Sequence, residues 1–372
     1  MKSEHFKGHK TALLREFCKP FPTISQLNLP RLQQLPLFAA LFPKPWLINF
    51  NQSHMEHTPQ FKRGEEAQTH LKLGRSAVPL LSHLGETYLS IPTSPTGQTV
   101  LPLSSRRAEL WMTANFYREY ESAPSPGAIE RALRVLEARA LYEAIPQPVG
   151  RRLLGFNDTI VLDLANECGQ CVEIAAGGWA VADALPHAFL RDQGSGPLPV
   201  PVDAGDEPLN RLRQLLDIED DPSWSNILTW LTAALRPDTP CPLLAIDGPA
   251  GSGKSTLAKM IKSLIDPSAA AQGYLRILDV GDAPDRIPRH LAAMSENQPT
   301  ILVAPRNRLT PQLQHRASPV TLGARTAFRT LQALRDSFEA LHPAVLAALC
   351  SIVGQAMRDI GQAASCAQSP QA

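Results

Sequence analysis

Several kinds of feature are scarce in this chain, and each scarcity narrows the class of protein. Its 372 residues include six cysteines, too few and too scattered for the disulfide framework of a small secreted domain. The longest apolar runs fall well short of the about 20 residues that a membrane-spanning helix needs, so no membrane partner is expected. The formal net charge is +1, which gives no overall field to attract nucleic acid. We therefore expect a cytoplasmic protein with reduced thiols.

The N-terminal segment lacks the regular patterns of the rest of the chain. Up to about residue 55 it carries seven basic residues against two acidic ones, with scattered prolines and apolar residues that show no sustained period. This composition predicts a disordered tail over residues 1–60. The alternative is that Met55 is the true start and the preceding residues are misassigned upstream sequence.

Lysine is also scarce, and one lysine stands in an informative place. The chain has 10 lysines against 26 arginines, with none between Lys72 and Lys254. Residues 248–255 fit the pattern G-x-x-x-x-G-K-[ST] without a mismatch. The apolar run before them predicts a buried strand over 242–246, and the run after them predicts an amphipathic helix over 255–265. Strand, glycine loop and helix together predict a phosphate-binding loop.

The residue types of this loop explain what each one is expected to do. Glycines let the backbone N–H groups approach phosphate oxygens, and the following helix offers the positive end of its dipole. Lys254 is expected to reach the β- and γ-phosphates, and the Ser255 hydroxyl to ligate Mg²⁺. The expected ligands are therefore ATP and Mg²⁺. The predicted nucleotide-binding residues are Gly248, Pro249, Ala250, Gly251, Ser252, Gly253, Lys254, Ser255 and Thr256.

The remaining patterns predict an α/β P-loop NTPase domain preceded by a smaller α+β domain. From about 64 to 150 the pattern is helical, with a helical pair over 104–120 and 128–142 whose inward residues include Leu110 and Tyr117. Short strands follow over 152–155, 159–164, 171–174 and 178–183. The predicted boundaries are an accessory domain at 64–190, a linker at 191–207, the P-loop domain at 208–362 and a disordered tail at 363–372.

Hydrolysis needs an acidic residue at the end of a second strand, and the sequence offers no regular example. The nearest metal-ligand candidates are Asp279, whose apolar run is broken by Arg276, and Asp282. The strand predicted at 300–304 ends without a carboxylate. Asn307 is a candidate contact to the γ-phosphate, and Arg316 is a candidate charge-stabilising finger. The sequence leaves open whether a bound triphosphate is hydrolysed.

Several stretches match one known family in order. They are 111–120, 132–140, 161–174, 178–181, 197–200, 228–235 and 248–267. From about residue 64 the chain thereby resembles bacterial ATP-binding proteins of prophages and integrative elements, related to helicase-primase ATPases of the superfamily-three or AAA+ type. The resemblance implies a DNA-replication role, a single-stranded DNA partner and assembly of copies into a ring. It also places a family arginine at Arg316. The chain departs from the family in a shortened stretch at 272–298, where the acidic strand is expected.

Two other interpretations of the loop stay open. The run Ile246–Thr256 resembles the opening of cytidylate kinases, and Arg358–Gly361 resembles another of their motifs. Those enzymes place the loop at the start of the chain and follow it with an acceptor site, whereas here it lies two-thirds along. The second reading is non-enzymatic, an ATP-gated binding module in which the nucleotide orders the domain without turnover.

Overall fold

The computed structural model describes residues 65–92, 98–156, 158–183, 188–191, 194–205, 207–237, 239–268, 273–281, 287, 291, 298–324 and 330–368. The predicted tail at 1–60, the possible start at Met55 and the candidate ligand Asp282 lie outside the described residues. These three expectations therefore stay predictions.

The first described region combines three helices with a three-stranded antiparallel sheet. In chain order its elements are α1 (Glu65–Leu73), β1 (Val78–Leu81), β2 (Thr87–Pro92), β3 (Gln98–Pro102), α2 (Arg106–Tyr120) and α3 (Pro126–Glu143). The strands form a meander in the order β1-β2-β3. The prediction of a purely helical pattern from 64 to 150 is therefore wrong for residues 78–102. Short apolar runs are ambiguous in period, and these strands become strands by pairing with one another.

Helix α2 buries a different face from the one predicted. Ser105 caps it by accepting a hydrogen bond from the Ala108 N–H. The buried residues of the helix are Ala108, Met112 and Phe116, which recur every four positions. Leu110 and Tyr117, which were expected to face inward, are 52% and 55% exposed. The cause is α1, which packs on this side of α2 and stacks His70 on Phe116 with ring centroids 4.8 Å apart.

A second antiparallel sheet follows, close to where the sequence predicts strands. Its strands, in the order β5-β6-β7-β8, are β5 (Leu153–Phe156), β6 (Thr159–Asp163), β7 (Cys171–Ala175) and β8 (Gly178–Ala182). Two short strands, β4 (Val149–Gly150) and β9 (Ala188–Phe189), pair in parallel beside it. Residues 160–163 of β6 are all buried, as are Cys171, Val172 and Ile174 of β7, so both faces of these strands are covered and the sheet contributes to a core.

The third region is a four-stranded parallel sheet with helices around it. Its elements are α4 (Glu207–Leu216), α5 (Asp221–Ala234), β10 (Leu243–Asp247), α6 (Lys254–Ile265), β11 (Arg276–Asp279), β12 (Thr300–Val303), α7 (Pro311–Arg316), β13 (Ala317–Thr321) and α8 (Leu331–Gln368). The strand order is β11-β12-β10-β13. All pairings are parallel, so the carboxyl ends of the four strands lie at one edge of the sheet. The mixed α/β class with a parallel sheet is as predicted.

The core does not divide at the predicted linker. One cluster of buried residues joins β5, β6 and β7 to α4, α5, α6, α8 and the parallel sheet. Leu198, inside the stretch predicted as a linker, is 2% exposed, and its N–H donates a 2.8 Å hydrogen bond to the Leu164 carbonyl. The helical region around α2 and α3 has a separate cluster of its own. The second sheet is therefore packed as part of the same core as the parallel sheet.

Helix α8 crosses this shared core. It continues to Gln368, six residues into the segment predicted as a tail from 363. Within the part of the chain that the structure describes, it is the one helix long and apolar enough to cross a membrane, and half of its apolar window is buried inside the protein. Ser351 accepts a 3.0 Å hydrogen bond from Trp179 Nε1, and Arg358 Nε donates a 2.7 Å bond to the Ala176 carbonyl. These contacts pack α8 as a core helix against the second sheet.

Candidate nucleotide-binding site

The glycine loop lies between the buried strand β10 and the N-terminus of α6, as the sequence predicts. Gly248, Gly251 and Gly253 have φ angles of 156°, 78° and 88°, in the region that favours glycine. At Gly248 the space is closed as well, because an added Cβ would lie 2.8 Å from the Leu322 carbonyl oxygen. The loop therefore needs glycine for both its turn and its close packing.

Lys254 folds back over the loop that precedes it. Its Nζ donates hydrogen bonds of 2.7 Å to the Gly248 carbonyl and 2.8 Å to the Pro249 carbonyl. The ammonium group is thus held at the mouth of the loop, beside the first turn of α6, where the helix leaves backbone N–H groups without intrahelical partners. A positive charge and free N–H groups in one place form an arrangement that suits an anion.

The other predicted loop residues differ in what they present. Ala250 is exposed in the turn, and Thr256 is half-buried in the first turn of α6. Ser252 is 1% exposed, and its Oγ has no hydrogen-bond partner among the described residues. Its side chain faces the interior of the loop, so any contact from Ser252 to a phosphate has to come from its backbone.

Asp279 is brought to the loop by the sheet. It ends β11, and the register Asp279–Val303–Ile246 aligns it with the end of the loop strand, two strands away. The Ser255 hydroxyl donates a 2.5 Å hydrogen bond to Asp279 Oδ2. Asp279 is exposed and is followed by buried Val280, so no second carboxylate comes directly after it. The acidic residue that the sequence pattern does not mark clearly therefore lies beside the predicted magnesium ligand.

The fit of a magnesium ion rests on these two side chains. The described residues contain no group of three or more His, Cys, Asp and Glu side chains that would hold a metal alone. Mg²⁺ characteristically takes one or two protein oxygens and completes its octahedron with phosphates and water. One hydroxyl and one carboxylate at the loop fit that requirement.

Asp247 is a site residue that the sequence reasoning missed. Its Oδ1 accepts a 2.7 Å hydrogen bond from the Gly248 N–H, and its Oδ2 accepts a 3.0 Å bond from the Arg306 N–H. One carboxylate thus ties the start of the loop to the 3₁₀ turn Arg306–Arg308 that follows β12. Asn307 is exposed in this turn. The only available signal was the position of Asp247 directly before the first loop glycine.

Arg316 lies at the other edge of the sheet. It is the last residue of α7, and the next residue, Ala317, pairs with Leu243 at the start of the loop strand, whereas Asp247 pairs with Thr321. The four residue steps from Leu243 to Asp247 span about 13 Å. The structure therefore brings Lys254, Ser255 and Asp279 together and keeps Arg316 away from the loop of its own chain.

A buried ionic cluster holds the far end of α6. Asp266, 2% exposed, lies 3.4 Å from Arg152 Nη2 and 3.3 Å from Lys262 Nζ, and it accepts a 3.0 Å hydrogen bond from the Leu275 N–H. Burial alone would raise the pKa of Asp266, but the Leu275 hydrogen bond and the two positive charges hold that pKa below its usual range. Because Arg152 lies just before β5, this cluster fixes the loop helix to the second sheet.

Comparisons with known proteins give low overall similarity. No protein-family model matches the chain. No curated protein matches it either. Among solved structures, the chain is similar to the C-terminal region of NrS-1 in its A form, with a TM-score of 0.42 and 11% identity over 79% of this chain and 71% of that one. Another structure of the NrS-1 C-terminal region (305–718) gives a TM-score of 0.39 and 11% identity, covering 80% of this chain and 72% of that one.

A third similar structure is that of SCCmec type IV Cch, an active helicase. Its TM-score is 0.37 at 12% identity, and the match covers 72% of this chain and 57% of the helicase. All of these TM-scores are below 0.5 and all of the identities are below 25%. We therefore base the assignment of the site on its own geometry.

Proposed function

We propose that this protein binds a nucleoside triphosphate, ATP with Mg²⁺, at residues 248–256. The observation that carries the proposal is the convergence of Lys254, the free N–H groups of the first turn of α6 and the Ser255–Asp279 pair at one sheet edge. In this arrangement Lys254 would exchange its two loop carbonyls for phosphate oxygens. Ser255 and Asp279 would hold the metal ion, whose chemistry is to neutralise charge on the phosphates.

Hydrolysis requires, in addition to ATP binding, a group that orients the attacking water. Asp279 supplies one carboxylate at the loop. The next residue is Val280, so no second carboxylate follows directly to orient water. Asp247 ties the turn that carries Asn307 to the start of the loop, and this supports the proposal that Asn307 contacts the γ-phosphate. We propose a helicase-like ATPase of a mobile element, acting in DNA replication on single-stranded DNA in the cytoplasm.

Val280 supports one second candidate, a module that binds ATP and does not hydrolyse it. In such a module the nucleotide would act by stabilising the folded state, by an amount RT ln(1 + L/Kd) that grows with the ligand concentration L.

The position of Arg316 bears on assembly. Because the β13 strand separates it from the loop of its own chain, a finger role for Arg316 requires the loop of a second copy. The proposed ring of identical subunits provides such a neighbour. An Arg316→Ala variant mixed with an Asp279→Asn variant tests this point, since each copy then retains one half of a composite site. Recovered turnover in the mixture supports the assembly, and turnover no higher than the sum of the two contradicts it.

The decisive experiment measures ATP binding and ATP turnover on one preparation. Calorimetry with ATP and Mg²⁺ reports binding, and phosphate release is followed with and without single-stranded DNA. Release stimulated by DNA supports the helicase-like ATPase, while binding without release supports the ATP-gated module. Formation of CDP from CMP would instead support the hypothesis that the protein is a cytidylate kinase. No binding of ATP to the wild-type protein would refute the proposal.

A further inference from the structure

A cavity of about 670 Å³ opens between α6, α8 and the segment 197–199, and Thr256 in the first turn of α6 lines it. Its principal lining residues are Leu198, Thr256, Met260, Ser263, Phe338 and His342. Thr256 is the last residue of the proposed phosphate site and also lines the cavity, so the two sites share one residue. Its size is in the range of small-molecule sites in proteins.

The cavity follows one face of the loop helix. Thr256, Met260 and Ser263 are spaced four and three residues apart, which places them on one side of α6. Seven residues of helix rise about 10 Å. The cavity therefore leads away from the loop over a length that accommodates a ribose and a base laid end to end.

The walls of the cavity are mainly apolar and its rim is charged. Leu198 on one side and Phe338 on the other are 2% and 8% exposed. Lys259, Arg335 and Glu339 are exposed around the opening. Apolar walls with an aromatic ring suit a flat heteroaromatic group, and the charged rim suits the part of a ligand that stays in water.

His342 gives the cavity a buried polar side chain, one of whose two ring nitrogens has an identified partner. Of the described residues that line the cavity, it is the buried polar one, at 7% exposure. Its Nε2 lies 3.1 Å from the Leu264 carbonyl, in the last turn of α6, where carbonyls have no intrahelical partner. A carbonyl only accepts, so Nε2 carries the hydrogen and Nδ1 is left as an acceptor. Burial lowers the pKa of His342, partly opposed by the Leu264 hydrogen bond, so the ring is neutral at pH 7.

We infer that this cavity binds the nucleoside part of the triphosphate, and that His342 selects a base with an exocyclic amino group at its far edge. Adenine satisfies this requirement, because its 6-amino group donates a hydrogen bond to an acceptor. Hypoxanthine has an oxygen at the same position and would set two acceptors against each other. The inference rests on the proposed function, since the loop must hold the phosphates for the base to reach the cavity.

The test compares three probes by calorimetry in Mg²⁺: ATP, ITP and inorganic tripolyphosphate. Wild-type protein should bind ATP at least tenfold more tightly than ITP. Ser263→Trp fills the cavity and should weaken ATP at least tenfold while leaving tripolyphosphate within twofold. Ser337→Trp makes the same change at an exposed serine of α8 that does not line the cavity; it is the matched control and should behave as the wild type. Equal losses of ATP and tripolyphosphate in Ser263→Trp would remove the cavity from the binding site.

A second pair of variants isolates the base contact. His342→Gln keeps an amide donor for the Leu264 carbonyl and removes the acceptor at Nδ1, so the ATP-to-ITP ratio should fall to about one. His342→Asn places an amide oxygen near the Nδ1 position and should restore part of the ratio. Thermal melting of each variant checks folding. An unchanged ratio in His342→Gln, or no preference in the wild type, overturns the role of His342.

Failure of the proposed function looks different from failure of this inference. If neither ATP nor tripolyphosphate binds to the wild type, or if Lys254→Ala binds tripolyphosphate as tightly, the loop itself is not a phosphate site. If tripolyphosphate binds through Lys254 and the nucleoside adds no affinity, the loop is right and the cavity is wrong.

Discussion

The two ends of helix α6 each face an aspartate, and the two aspartates differ in burial and in the number of their partners. At the N-terminal end Asp279 is exposed and accepts a hydrogen bond from the Ser255 hydroxyl. At the C-terminal end Asp266 is 2% exposed and is surrounded by Lys262, Arg152 and the Leu275 N–H. The oxygens of Asp266 are occupied by the protein itself, whereas Asp279 stays open to solvent next to the glycine loop.

The difference indicates which carboxylate stabilises the fold and which is available to a ligand. A buried carboxylate without partners costs several kcal/mol, so its partners become part of what holds the fold together. An exposed carboxylate on a strand end adds little to the fold and remains available to a cation. One helix thus has a structural end fixed to the second sheet and an open end at the proposed phosphate site.

Removing Asp266 should have the largest effect on the fold. Asp266→Ala leaves the buried Arg152 and the partly buried Lys262 without this counter-charge, and we expect the free energy of unfolding to fall by about 3–5 kcal/mol. Urea denaturation measures the change. The matched variant Asp279→Ala should stay within about 0.5 kcal/mol of the wild type. Similar losses of unfolding free energy in the two variants would show that the two ends of α6 do not differ in their contribution to stability.

Asp279→Asn should affect the ligand and leave the fold alone. The amide oxygen still accepts a hydrogen bond from Ser255, but the negative charge is gone. The affinity for Mg²⁺ in the presence of ATP should therefore fall about tenfold, or by about 1.4 kcal/mol. Titration of Mg²⁺ at fixed ATP measures this. Because Ser255 and Asp279 would hold the same ion, Ser255→Ala combined with Asp279→Asn should lose less than the sum of the single losses. Strict additivity would argue that the two residues act on separate ions.

The smallest expected effect is a pH dependence at the structural end. The folded-state pKa of Asp266 lies below the unfolded value of about 3.9. Its contribution to stability is therefore fully present above the unfolded pKa and is lost as the pH falls through the folded pKa. The stability difference between wild type and Asp266→Asn, measured by denaturation from pH 8 to pH 2.5, should be constant above about pH 5 and shrink below. A difference that shrinks between pH 6 and pH 8 would point to another group.

The sequence predicts the open end well because its determinants are consecutive. Strand β10, the glycines at 248, 251 and 253 and helix α6 follow one another, and local pattern suffices to place them. Asp279 was harder, because Arg276 interrupts its apolar run and only the strand order β11-β12-β10 brings it to Ser255. Its role depends on sheet pairing, which a local pattern does not encode.

The structural end was not predicted at all, because its contacts join residues that are still further apart in the chain. Arg152 and Asp266 are 114 positions apart in the chain, and His342 meets Leu264 across 78. The strands β1–β3 were missed because each is short and gains its identity from its neighbours. In contrast, β5–β8 show enough alternation and turn residues to be predicted within one or two positions.

The central claim is that the loop at 248–255 binds a nucleoside triphosphate through Lys254. The direct measurement is thermal unfolding with ATP and Mg²⁺, on wild type, on Lys254→Ala and on the control Lys72→Ala, whose lysine is exposed on α1. At a ligand concentration of 100 times Kd, binding should stabilise the wild type and the control by about 2.7 kcal/mol and leave Lys254→Ala unshifted. No shift in the wild type, or an equal shift in Lys254→Ala, would contradict the account.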